Sequence, residues 1–190
     1  IEKIIEDLNE FEQQEDVKAI VLRINSPGGA VAPSQEIYEK VKNITRVKPI
    51  ISSINTLAAS GGFYAALGSS KIIANPGSII GSIGVIVEYP IAVELLEKIG
   101  LKFETIKSGE AKDIGSPTRQ ATLDDRNLLK SVVKNLHNQF IDAVVFSRSL
   151  DREFVFSIAD GRVFTGEQSQ NLGLIDTLGT FDDAIDMASQ

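Results

Sequence analysis

Ser60 lies in the run Leu57-Ala58-Ala59-Ser60-Gly61-Gly62-Phe63-Tyr64, and Lys112 follows in the glycine- and serine-rich stretch Ser108-Gly109-Glu110-Ala111-Lys112-Asp113-Ile114. With no cysteine and one histidine among 190 residues, these two side chains offer a nucleophile and a base that need no imidazole. A serine hydroxyl attacks poorly until a base removes its proton, and a lysine serves as that base only when its amine is neutral. Bringing a lysine from ~10.4 to near 7 costs about 4 to 5 kcal/mol of differential solvation, which burial in an apolar, substrate-covered pocket can supply. Alanines and glycines around Ser60 let the backbone come close to a substrate, and a helix start leaves N–H groups free for a developing oxyanion. The Gly61 N–H is one such donor. Gly29, in the turn Ser26-Pro27-Gly28-Gly29, is a second, because glycine there lets an N–H face a cleft. The chemistry implied is acyl transfer by a Ser/Lys dyad.

Plainer uses compete for the same residues. Ala-Ala-Ser-Gly-Gly suits a tightly packed helix start, Lys112 suits a solvated loop, and Ser82 in Gly81-Ser82-Ile83-Gly84 suits a turn or cap. His137 sits mid-helix between Leu136 and Phe140 and reads as a boundary or surface residue rather than a triad base. Asp113 is expected to point away from Lys112, since a firm pair would hold the amine charged.

The elements that must position these residues alternate. A nearly continuous apolar run over residues 17–25 reads as a buried strand stopped by Pro27-Gly28-Gly29. Helix is expected over 34–43, strand over 49–54, helix over 60–67 ended by Gly68, and strand over 71–74. Further strands are expected at 83–87 and 101–107 on either side of a helix at 90–99. Thr122 and Asp125 resemble a capping box for the longest helix, whose apolar stripe runs from Leu129 through Phe140 to Val144. Strand, helix and strand follow over 161–176, with a last helix over 180–187. The rhythm is α/β, with mostly parallel sheets covered by helices, in one domain spanning 1–190.

Composition narrows the partners. The net charge is −7 and the basic residues are scattered, so the electrostatic footprint for nucleic acid is missing. Without cysteine there are no disulfides and no thiolate metal sites, and no metal or other cofactor is expected. The longest nearly apolar stretch, 79–87, falls far short of the ~20 residues a membrane helix needs. The helical period already present in Ile1, Ile4, Ile5 and Leu8 suggests an excised piece of something longer.

Six separated motifs occur in order: Asn25-Ser26-Pro27-Gly28-Gly29, Ala58-Ala59-Ser60-Gly61-Gly62-Phe63-Tyr64, Gly81-Ser82-Ile83-Gly84-Val85, Ser108-Gly109-Glu110-Ala111-Lys112-Asp113, Ser116-Pro117-Thr118-Arg119 and Ala159-Asp160-Gly161-Arg162-Val163-Phe164-Thr165-Gly166. Together they resemble the S49 family of serine peptidases, over nearly the whole chain. The resemblance implies that Ser60 is the nucleophile, Lys112 the general base, Ser82 a hydroxyl orienting the lysine amine, and Gly29 and Gly61 the oxyanion positions. It implies a crotonase- and Clp-protease-like spiral of ββα units, a ring-shaped homo-oligomer, and cleaved signal peptides as substrates. It also implies a cell-membrane location with the catalytic domain on the extracytoplasmic side, held by an N-terminal anchor that this sequence lacks. Three alternatives share features with it: a Ser/Lys protease cleaving a stomatin-like partner, a crotonase-like acyl-CoA enzyme, which would need a catalytic carboxylate, and a scaffold in which both motifs only pack.

Overall fold

Apolar runs that bury both faces need neighbours on both sides and cover above and below. The computed structural model describes residues 1–190 and provides these around one long strand. It divides into two compact units, Ile1–Gly84 with His137–Gln190, and Val85–Leu136.

The first unit opens with α1 (Glu2–Gln13), β1 (Ile20–Ser26), α2 (Val31–Ile44), β2 (Ile50–Ala59), α3 (Gly61–Ala66), β3 (Lys71–Ala74) and β4 (Ile79–Gly81). In the second unit lie α4 (Val93–Lys98), a 3-10 turn at Glu110–Asp113 and the start of α5 (Leu123–Arg148). After α5 the chain adds α6 (Arg152–Ile158), β5 (Val163–Thr165), α7 (Gly166–Asn171), β6 (Thr177–Leu178) and α8 (Phe181–Ala188).

β2 organises the sheet because it changes neighbour halfway along. Its first half lies parallel between β1 and β3, with Ile54 opposite Ile24 on one side and Ala74 on the other. Its second half pairs in parallel with β4, Ala58 against Ile80 and Ala59 against Gly81. β6 extends β3 in parallel, whereas β5 runs antiparallel along β4. The result is a curled, mostly parallel sheet, as the alternation of elements predicts. Ile54, Phe63, Ile72, Ile80, Ile141 and Val144 are fully buried around it, each worth about 1.5–3 kcal/mol relative to exposure. Phe140, Ile141 and Val144 of α5 meet the core, so the apolar stripe read in the sequence is core-facing at its C-terminal end, whereas Val132 stays 43% exposed.

Two expected strands do not form. Residues 83–87 and 101–107 have no regular structure, and Ile86, Phe103 and Ile106 stand 78%, 57% and 95% exposed. Their residue types favour a pleated, half-buried surface, but a strand persists only against a ladder partner, and the pairing of the sheet includes neither segment. The strand expected after Gly81 is displaced to Ile79–Gly81, where β2 and β5 supply that partner. No helix is long and apolar enough to cross a membrane.

Candidate active site

β2 ends in Leu57-Ala58-Ala59, and the chain then reverses sharply into α3. Ser60 is the hinge. Its backbone holds φ 51 and ψ −122, a conformation that costs a non-glycine residue of order 1–3 kcal/mol and persists only when the surroundings impose it. The imposition is visible: the Ser60 N–H donates to the Gly81 carbonyl at 2.8 Å, and the Ser60 carbonyl accepts from Tyr64 N–H at 2.9 Å. The first N–H groups of α3 follow immediately, with no side-chain cap to occupy them.

The Pro27-Gly28-Gly29 turn lies against this hinge. Gly28 has φ +111, and a Cβ on it would stand 2.8 Å from the Ser60 Cβ and 2.9 Å from the Gly61 nitrogen. A Cβ on Gly61 would stand 3.2 Å from the Gly29 nitrogen and collide with the Ser34 hydroxyl. Glycine at 28 and 61 is thus what lets the turn after β1 touch the start of α3. Gly29 itself faces open space. Ser26 Oγ braces the turn from beneath by accepting from Gly28 N–H at 3.2 Å.

Beside the turn is a cavity of about 350 Å³ within the first unit, lined by Leu22, Ile24, Pro33, Ser34 and Ala65 together with the glycines. Its lining is mainly apolar. Ser34, at the start of α2, is buried and spends its hydroxyl proton on the Ala30 carbonyl at 2.9 Å. The sequence reading did not single out Ser34 or Gly28. Only a through-space contact identifies them, because the partner residues lie some thirty positions away.

Ser82 also has φ 51. Its N–H donates to the Arg162 carbonyl at 2.8 Å, in a turn held by Asp160, whose carboxylate accepts from the Arg162 guanidinium at 2.7 and 2.6 Å. That pairing holds the Asp160 carboxyl down at about 2. Ser60 is hydrogen-bonded to Gly81 and Ser82 follows Gly81, so the two strained serines are linked through one residue. His137 is half-buried with no hydrogen-bond partner on Nε2.

Ser60, Gly28, Gly29, Gly61 and Ser82 belong to the first unit and Lys112 to the second. Lys112 is exposed on the 3-10 turn, its N–H donating to the Gly109 carbonyl at 3.1 Å. Asp113 turns to other cations, as expected. Its Oδ1 takes the Arg119 guanidinium at 2.7 Å and the Lys107 amine at 3.2 Å, and Arg119 above all holds the carboxyl down at about 2. No group of three or more His, Cys, Asp or Glu side chains is arranged to hold a metal ion.

The chain is similar to known proteins. The profile of peptidase family S49 matches residues 42–190, and that of Clp protease matches residues 1–80, in keeping with the crotonase- and Clp-like fold. A Synechocystis protein named as a candidate protease is 43% identical over 172 residues, covering 90% of this chain and 62% of its own length. A candidate signal peptide peptidase of Enterococcus faecium is 34% identical over 186 residues, with 97% and 54% covered. The chloroplastic serine protease SPPA of Arabidopsis thaliana is 34% identical over 190 residues, all of this chain and 28% of that protein. The chain therefore spans less than two thirds of the length of these relatives.

Proposed function

The chain belongs to peptidase family S49, and on that premise we propose that it is the catalytic part of a serine endopeptidase run by a Ser/Lys dyad. Ser60 is the nucleophile, Lys112 the general base, Ser82 the hydroxyl that orients the lysine amine, and the Gly29 and Gly61 N–H groups the oxyanion donors. The observation that carries this reading is the backbone of Ser60, strained at a strand-to-helix reversal beside uncapped helix N–H groups and a glycine turn. Strain of that kind clusters at functional sites.

In the reaction, the neutral Lys112 amine takes the Ser60 hydroxyl proton as Oγ bonds to the scissile carbonyl carbon. The carbonyl oxygen becomes an oxyanion against the glycine N–H groups, worth about 3–4 kcal/mol per well-aimed donor. Collapse breaks the C–N bond, and the lysine returns the proton to the leaving amine. Water, deprotonated by the same amine, then cleaves the acyl-enzyme.

The substrates are cleaved signal peptides and similar hydrophobic segments. The apolar recess beside the glycine turn, about 350 Å³, supports a small or apolar side chain next to the scissile bond. The catalytic domain works on the extracytoplasmic side of the cell membrane, in a ring-shaped homo-oligomer. The exposed Leu95, Ile99, Phe103 and Ile106 of the second unit support such assembly, since burial between copies would remove their apolar surface from water.

The test is direct. A fluorophosphonate probe labels Ser60 in wild type and not in Ser60→Ala, and mass spectrometry finds fragments of a synthetic signal peptide only with wild type. Equal turnover by Ser60→Ala would discard the nucleophile assignment, and turnover by Lys112→Arg would discard the base, because guanidinium keeps its proton in proteins.

A further inference from the structure

The 3-10 turn that carries Lys112 is a weak element on its own terms. It spans four residues, Glu110–Asp113, with the bonds Lys112 N–H to Gly109 carbonyl at 3.1 Å and Ile114 N–H to Ala111 carbonyl at 3.3 Å. Such turns have poor hydrogen-bond geometry and fray unless something outside holds them. Here the external hold is ionic. Arg119 gives one guanidinium nitrogen to Asp113 Oδ1 at 2.7 Å and the other to Asp125 Oδ2.

Asp125 is anchored independently of Arg119. Its side chain accepts the Thr122 N–H at 2.9 Å while its own N–H donates to Thr122 Oγ1 at 3.1 Å, a reciprocal capping box on the first turn of α5. Asp125 is buried. The guanidinium thus bridges a carboxylate locked into a 26-residue helix and a carboxylate adjacent in sequence to Lys112. All of these residues lie in the second unit.

We infer that Arg119 is a positioning residue: by clamping Asp113 to the capped end of α5, it fixes the backbone of the 3-10 turn and hence the place from which Lys112 presents its amine. The inference rests on Lys112 being the base. Arginine is required for geometric reasons, because two carboxylates at separate places need a planar donor with two usable edges, and a lysine amine satisfies one at a time. Lys107 supports the same carboxylate at 3.2 Å but reaches only Asp113 and Glu110, so it cannot tie the turn to the helix.

The experiment measures kcat and KM in the full protein for Arg119→Gln, Arg119→Lys, Asp113→Asn and the Arg119→Gln/Asp113→Asn double variant, with the folded fraction of each from circular dichroism. Lys112→Ala runs in parallel. Arg119→Gln and Asp113→Asn are each expected to lower kcat roughly 10- to 100-fold, the size typical of a group that orients another, with KM changed less than about twofold. Arg119→Lys is expected to recover part of the loss. The double variant is expected to be no slower than the worse single, since both changes open the same clamp. Faster hydrogen exchange at residues 110–114 should accompany the loss.

Wild-type kcat in either single variant overturns the inference, and so does strictly multiplicative loss in the double. A kcat deficit fully explained by the unfolded fraction also overturns it, and if Arg119→Gln fails to fold, Asp113→Asn alone decides. An active Lys112→Ala would instead remove the base assignment itself. A dead Lys112→Ala beside a fully active Asp113→Asn would remove only the clamp.

Discussion

Gly28 shows how tightly the site is written at single positions. An alanine there would have to hold φ +111 and put its Cβ 2.8 Å from the Ser60 Cβ, so both backbone strain and collision oppose it. Gly28→Ala is expected to cost about 2–3 kcal/mol of stability and to abolish fluorophosphonate labelling of Ser60. Urea denaturation reads the first effect and in-gel labelling the second; an alanine variant that labels at the wild-type rate would show that the turn need not touch the hinge. Ser82→Ala separates chemistry from structure. It keeps a side chain in the same φ 51 backbone and removes only the hydroxyl, so stability should stay within about 0.5 kcal/mol while kcat falls roughly 10- to 100-fold if the hydroxyl orients Lys112. Full activity would return Ser82 to a turn residue. The nucleophile, base and glycine candidates were legible in the sequence through the six ordered motifs that carry the family resemblance, not through their types alone, which plainer uses also fit. The strain at Ser60 and Ser82 was not, since serine carries no mark of a positive φ.

At the scale of elements, the sheet depends on a polar bridge that no motif announces. Asp176 accepts from the Ile72 N–H at 2.8 Å, from Arg148 at 2.8 Å and from Lys71 at 3.1 Å, tying β3 to the end of α5. Burial opposes its ionisation, yet these donors outweigh burial and hold the carboxyl below its ordinary range. Asp176→Asn is expected to destabilise by about 1.5–3 kcal/mol at neutral pH, as for a lost charge-assisted bond. The pH dependence has a definite sign: with the folded value depressed, the contribution is complete above the unfolded pKa of about 3.9 and disappears as pH falls through the lower folded value. Urea curves of wild type and variant should therefore converge below about pH 4, and a constant gap down to pH 2 would show that Asp176 acts by shape alone. Helices and core strands were legible for a related reason: periodicity reports burial. The strands expected at 83–87 and 101–107 failed because propensity does not say whether a pairing partner exists, and β2 read short because Leu57-Ala58-Ala59 looks like helix until β4 is seen beside it.

At the scale of the whole molecule, the proposed nucleophile and base fall in different compact units, and the resemblance to S49 peptidases implies that neighbouring copies in a ring supply one each. Inactive Ser60→Ala and inactive Lys112→Ala proteins, unfolded together and co-assembled in equal amounts, should regain activity, because random mixing leaves about one quarter of heterologous interfaces with both groups intact. A mixed assembly, verified by differential tags, that stays silent would mean each site is built within one chain.

The link from Ser60 to Gly81, and from there to the β5 region, has a consequence for biosynthesis. The hinge at Ser60 is held by Gly81, Gly81 is paired with Val163, and Ser82 is held by the carbonyl of Arg162. The outer pairing of Gly81, and the hold on Ser82, therefore wait on a segment made about a hundred residues after Ser60. A nascent chain that has not yet delivered residues 162–165 from the ribosome carries the proposed nucleophile without the β5 pairing that steadies its Gly81 partner, so the growing polypeptide is expected to be inert toward its neighbours. Stalled chains ending at residue 155 should resist fluorophosphonate labelling, and labelling should appear only once β5 has emerged.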